Sequence, residues 1–151
     1  MAASASSRPP APRADVPLTY LVKQLEQAVR QELDRQIRPL GLTTLQCTAL
    51  GVLDRQPGMS AAQLARRSFV TPQAAGEMVT ALERKGLIER APDAGNQRIL
   101  EVRLTRQGRA TLKRCNAIVA EIEARMVAGT RAAERKQLRS LLVAGVDNLR
   151  P

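Results

Sequence analysis

The stretch SAAQLARRSFVTPQAAGEMVTALERKGLIERAPDAGNQRILEVRLT, residues 60–105, decides the fold. It opens on Ser60-Ala-Ala-Gln63, a capping box in which the serine oxygen accepts from the third helical N–H and the glutamine reaches back. A short helix follows through Leu64, Ala65, Arg66 and Arg67, then a turn at Ser68-Phe69-Val70. Thr71-Pro72 is a second start signal, with threonine as the cap and proline at the first helical position, where its missing N–H costs nothing. Met78, Val79 and Leu82 mark the inward side of a helix over 71–84, and Gly86 supplies a left-handed stop. The apolar period then changes from about 3.6 to about 2. Leu87-Ile88-Glu89-Arg90 reads as a strand, 91–97 as turn chemistry, and 98–104 as a second strand with Leu100, Val102 and Leu104 on its inner face. Two capped helices, a tight turn and a basic two-stranded ribbon make a winged helix–turn–helix over 42–105.

Outward from this unit the pattern is helical on both sides. Leu18, Leu21, Val22, Leu25, Ala28, Val29, Leu33 and Ile37 recur at three- and four-residue steps, which predicts a helix over 17–38 ending before Pro39. Thr43 caps a second helix carrying Leu45, Ala49, Leu50, Val52 and Leu53. Thr105 caps a long helix whose Leu112, Cys115, Val119, Ile122 and Met126 form a narrow seam, and a last helix carries Leu138, Leu141, Leu142, Val146 and Leu149. The expected fold class is therefore mainly α with a small two-stranded β wing. It is one domain over 17–151, in which the helices over 17–38 and 106–149 have apolar faces that a second copy would cover. The alternative is that these stripes close a monomeric core. Residues 1–16, rich in Ala, Ser and Pro, read as a disordered tail.

Composition removes whole classes of function. The 151 residues carry 24 Lys+Arg against 14 Asp+Glu, a formal charge of +10, and 20 of the 24 cations are arginine, the side chain suited to forked phosphate and base contacts. No histidine is present, so His-based catalysis and His metal ligation are out. The two cysteines, Cys47 and Cys115, lack a CxxC partner and build neither a zinc site nor a secreted disulfide framework. We expect no enzyme, no cofactor, no membrane span and no secretory signal, hence a cytoplasmic protein. The excess positive charge points to a polyanion, nucleic acid first. Nine cations and five acids fall in 60–109, and eight and four in 110–151, so the basicity is not confined to the winged unit.

On the helix over 71–84 the face opposite the apolar stripe bears Gln73, Ala74, Gly76, Glu77 and Thr80, small or polar groups that let a helix enter a major groove. Gln73 suits bidentate contact with adenine. Mid-helix Gly76 costs about 1 kcal/mol against alanine, which implies close approach of either DNA or a neighbouring helix. Arg98, flanked by Asn96 and Gln97 at the ribbon tip, is placed to enter the adjacent minor groove. Ser60 and Thr71 are further candidate DNA-binding residues, and Arg66, Arg67, Arg84, Arg103, Arg106 and Arg109 are candidate phosphate contacts, which position a protein without reading sequence.

The ordered set Leu42-Thr43 with Gln46, Gln63-Leu64-Ala65, Leu82-Glu83 with Lys85-Gly86-Leu87, Arg90, and Arg98 followed by Leu104-Thr105 and Gly108 resembles the MarR family of bacterial transcription factors. The resemblance covers 42–108 closely and the flanking helices more loosely. It departs from the family pattern at Asn96, where an aspartate is expected beside the wing arginine. The resemblance implies a homodimer on a palindromic DNA operator, in most cases a repressor released by a small aromatic acid or an oxidant. It implies an effector site where the first helix meets the winged unit, for which Tyr20 and Arg30 are the candidates. Two other functions compete: a thiol redox sensor using Cys47 or Cys115, and a sequence-tolerant architectural DNA binder.

Overall fold

The starts of α2 to α5 are set by hydroxyl caps, and the computed structural model shows all four closed. It describes residues 15–68 and 70–151; the expected tail, apart from Asp15 and Val16, and Phe69 lie outside the described residues. The order is α1 (Leu18–Ile37), a 3-10 turn (Arg38–Leu40), α2 (Thr44–Arg55), β1 (Met59–Ser60), α3 (Ala61–Arg67), α4 (Pro72–Arg84), β2 (Ile88–Pro92), β3 (Leu100–Leu104), α5 (Arg106–Met126) and α6 (Ala132–Leu149). Thr43 and Ser60 form full capping boxes with Gln46 and Gln63. Thr71 accepts from the Ala74 N–H and Thr105 from the Gly108 N–H. Gly86 takes the left-handed conformation (φ 69°) that ends α4 and turns the chain into β2.

The two-stranded wing, β2 and β3, is extended by a third strand into an antiparallel sheet in the order β1-β3-β2. β3 pairs along its length with β2 (Ile88↔Leu104 to Pro92↔Leu100), and its other edge takes β1 through Met59↔Val102 and Ser60↔Glu101. A two-residue strand shows no alternation of its own, so only the long-range pairing reveals it. β3 also starts at Leu100 rather than at residue 98, because 97–99 belong to the tip turn. Val102 and Leu104 are buried as expected, but Leu100 is 50 % exposed, since the ribbon there extends past the core.

The core lies between α2, α3, α4 and the sheet, where Leu50, Leu64, Val79, Leu82 and Val102 are all 1 % exposed or less. Ile37 of α1 and Leu112 and Cys115 of α5 join it. Ile122 of α5 is buried as well, and Leu33 of α1 and Ile118 of α5 pack against the core. α6 buries no residue and α1 buries only Ile37. Leu18, Tyr20, Val22 and Leu25 on α1 and Leu141, Val143, Val146 and Leu149 on α6 are all exposed. The α5 seam divides: Leu112, Cys115 and Ile122 are buried within the protomer, while Val119 and Met126 are exposed.

Cys47 of α2 and Cys115 of α5, separated by 68 residues, are joined in a disulfide with 6.2 Å between their Cα atoms. Spacing alone gave no sign of this pairing.

A second tie crosses between α1 and α5. Glu32 accepts from Arg35 (2.6 Å), Gln36 (2.9 Å) and Arg125 (2.5 Å). The Arg35 and Arg125 guanidiniums hold its carboxyl well below the usual carboxylate range. A depressed folded pKa means the contribution is fully present above the unfolded value of about 4.3 and is lost as pH falls below it. Melting temperature should therefore drop on acidification from about pH 5 to pH 3, and Glu32→Gln should flatten that slope. An unchanged slope in the variant would remove Glu32 from the tie.

Candidate nucleic-acid interface

α4 buries Ala75, Met78, Val79 and Leu82 and turns the opposite face outward. Gln73, Gly76, Glu77 and Arg84 are exposed, and Ala74 and Thr80 are half-buried. A Cβ built on Gly76 would meet nothing within 4 Å, so no neighbouring helix of the protomer explains that glycine. Thr80 is only partly free for a ligand. Its hydroxyl accepts from Arg90 (3.3 Å), which also pairs with Glu83 (3.2 Å). Arg90 thus staples β2 to α4, a positioning role that the motif match at Arg90 did not disclose.

The ribbon tip is held by its own turn chemistry. The Asp93 N–H donates to the Ile99 carbonyl and the Ile99 N–H to the Asn96 carbonyl, both at 2.9 Å. Asn96 Oδ1 accepts from the Arg98 backbone N–H (3.1 Å). Asn96 therefore braces the backbone at Arg98 rather than its guanidinium. Asn96, Gln97 and Arg98 are exposed, and the Arg98 guanidinium makes no ion pair among the described residues.

The other candidates separate into committed and uncommitted groups. The Ser60 hydroxyl is used in capping α3. Arg103 pairs with Glu101 (2.7 Å), and Arg109 donates to the Leu104 carbonyl (3.0 Å). Arg66 and Arg67, in the last turn of α3, are exposed, as are Arg84 and Arg106, and none of the four has an ion pair among the described residues.

A groove of about 750 Å³ opens between α1 and α2. Its apolar lining includes Val22, Leu25, Val29 and Leu33 of α1, Leu45 of α2, Met126 of α5 and Leu142 of α6, and Arg30 is its cation, hydrogen-bonded to Glu26 (2.7 Å from Nε). Tyr20, the other effector candidate, is not among the lining residues; it lies exposed on α1, upstream of the groove. The turn after α3 also reaches the groove, through Ser68 and Val70, which the sequence reading did not single out.

A capped helix pair presenting a polar helix face beside a basic ribbon defines a winged helix–turn–helix protein of the DNA-binding class. The MarR family profile matches residues 40–99. The HTH-type transcriptional repressor Rv2887 of Mycobacterium tuberculosis is 36% identical over 128 residues, 85% of this chain and 92% of that protein. The solved structure of Rv2887 in complex with DNA superposes with a TM-score of 0.75 at 35% identity, covering 86% of this chain and 98% of that one. Its complex with salicylic acid gives 0.71 at 35% identity, covering 86% and 96%. This chain belongs to the MarR family, whose members are transcriptional regulators. Among the described residues no helix is long and apolar enough to cross a membrane.

Proposed function

We propose that this protein is a homodimeric transcriptional repressor that holds a palindromic operator through α4 and the wing of each subunit. It lets go when a small aromatic acid occupies the groove between α1 and α2. The observation that carries the reading is the outward polar face of α4, cleared by Gly76 and flanked by Arg98, which makes no ion pair among the described residues, at a hydrogen-bonded tip. Gln73, Ala74, Gly76 and Glu77 meet base edges. The N-terminal end of α4 at Thr71 and the side chains Arg66, Arg67 and Arg84 meet phosphates, while Ser60 and Thr80 serve mainly to shape α3 and α4. Asn96 and Gln97 present Arg98 to the minor groove. Relatives crystallised with DNA and with salicylic acid support both halves of the reading. The apolar stripes over 17–38 and 106–149 are the dimer surface, the winged unit over 42–105 the reading head. The protein works in the bacterial cytoplasm, without a catalytic step, a cofactor or a metal.

Arg98→Ala should weaken operator binding by about 1–3 kcal/mol in a band-shift titration at fixed salt. Full retention of affinity would take the wing out of the mechanism. Equal wild-type affinity for operator and random duplex would favour the architectural reading instead.

A second reading, thiol redox control, is favoured by the Cys47–Cys115 bond between α2 of the winged unit and α5. Disulfides in a reducing cytoplasm are mostly transient and regulatory. With hydrogen peroxide as oxidant, one thiolate takes an oxygen and a proton to become a sulfenic acid, releasing one water. The second thiol then displaces the hydroxyl as another water, closing the S–S bond. Under this reading operator affinity differs between reduced and peroxide-treated protein, and Cys47→Ser abolishes the difference. Equal affinity in both states would discard it.

A further inference from the structure

A second, smaller pocket of about 250 Å³ lies where the last turns of α2 and α3 meet. It is lined by Val52 and Arg55 of α2, by Gln56, the C-cap of that helix, and by Arg67, the last residue of α3. Val52 is buried, and the three polar residues are exposed. Arg55 Nη1 lies 3.5 Å from where a Cβ on Gly51 would stand, so its guanidinium runs back along α2. No acidic residue lines the pocket. Neither guanidinium nor the Gln56 side-chain amide has a hydrogen bond or ion pair among the described residues. Asp54, the nearest acid in sequence, pairs with neither arginine. Where the same unit uses an arginine structurally it supplies an acid, as in Arg90 with Glu83 and Arg103 with Glu101.

Two cations brought to one space from two helices repel, and an anion between them turns that repulsion into attraction. We infer that Arg55, Gln56 and Arg67 form a phosphate pocket that grips one phosphodiester of the operator backbone in each subunit. Guanidiniums fork onto phosphate oxygens, and the Gln56 amide adds a neutral donor. Arg67 stands four residues before Thr71, the cap of α4, so the pocket belongs to the same helix pair that presents the reading face. The inference rests on the reading of that face as the DNA contact. It adds Arg55 and Gln56 to the interface and joins Arg67 to them in one site. Phosphate contacts position without specifying, so the pocket sets the register at which α4 enters the groove.

The test uses the full-length protein, a palindrome selected from genomic fragments, and the double variant Arg55→Gln/Arg67→Gln. Log affinity falls linearly with log salt by nearly one unit per phosphate neutralised, so the double variant should lose about two units of slope per dimer. Single neutral methylphosphonates scanned through one half-site should locate the phosphate. At one position wild type should lose about tenfold and the double variant about twofold or less, with equal losses elsewhere. Arg55→Lys/Arg67→Lys keeps both charges, so it should keep the salt slope and recover only part of the affinity. An unchanged slope in the glutamine variant, or a scan in which no position separates it from wild type, would overturn the assignment. A lower melting temperature with that unchanged slope would give the two arginines to the helix ends instead. Inorganic phosphate that binds DNA-free wild type but not the glutamine variant, again with the slope unchanged, would make the ligand a free anion and overturn the backbone assignment. Wild type that binds operator and random duplex alike would bring down the DNA-reading proposal itself. Failure confined to the variant comparison leaves that proposal standing.

Discussion

Gly108→Ala should cost about 4 kcal/mol or more and lower the melting temperature by about 10 °C, the largest effect of any single methyl in this chain. A Cβ on Gly108, in the first turn of α5, would lie 1.9 Å from the Leu87 carbonyl oxygen. That oxygen cannot simply step aside. It accepts from the Thr105 N–H (3.1 Å), and the Thr105 hydroxyl donates to the neighbouring Gly86 carbonyl (2.6 Å). The same residues end α4, start β2 and cap α5, so moving one disturbs the junction of α4, the wing and α5 together. Operator binding should fall with stability. Gly76→Ala is the matched contrast, because nothing lies within 4 Å of its Cβ position. It should stabilise the free protein by about 1 kcal/mol through helix propensity. A melting temperature for Gly108→Ala within a degree or two of wild type would mean that the first turn of α5 does not abut the Leu87 carbonyl.

Leu141→Asp should dissociate the dimer and lower operator affinity by about a hundredfold or more. Leu141 is 63 % exposed in the protomer, on a helix that buries nothing within its own chain. Burying a leucine contributes about 1.5–3 kcal/mol, and a twofold interface counts each position twice. An unpaired carboxylate in its place adds a desolvation penalty to both copies. A monomer then has one reading head and loses the gain from two linked half-site contacts. Sedimentation of the variant as a stable dimer would put the interface elsewhere.

Local chemistry made much of this fold legible. Ser60, Thr71 and Thr105 announce helix starts because a cap satisfies N–H groups a few residues away, which is a short-range event. The α1 and α6 stripes were equally readable, since amphipathic period needs no knowledge of the partner. What stayed hidden depends on the chain returning to itself. β1 exists because Met59 finds Val102, and the cysteine pair spans 68 residues. The Arg90 staple needs β2 laid against α4. The groove draws on separate segments: Arg30 of α1 lines it, Tyr20 of the same helix does not, and Ser68 reaches it from the turn after α3.

The most direct measurement is the stoichiometry and spacing dependence of binding to a palindrome selected from genomic fragments. Two protomers should bind per site, with half-sites about 34 Å apart, one duplex turn. Inserting about half a turn between half-sites should abolish tight binding, and inserting a second half turn should restore part of it. One protomer per site, or affinity indifferent to the insertion, would contradict a twofold pair of α4 helices reading one face of the duplex.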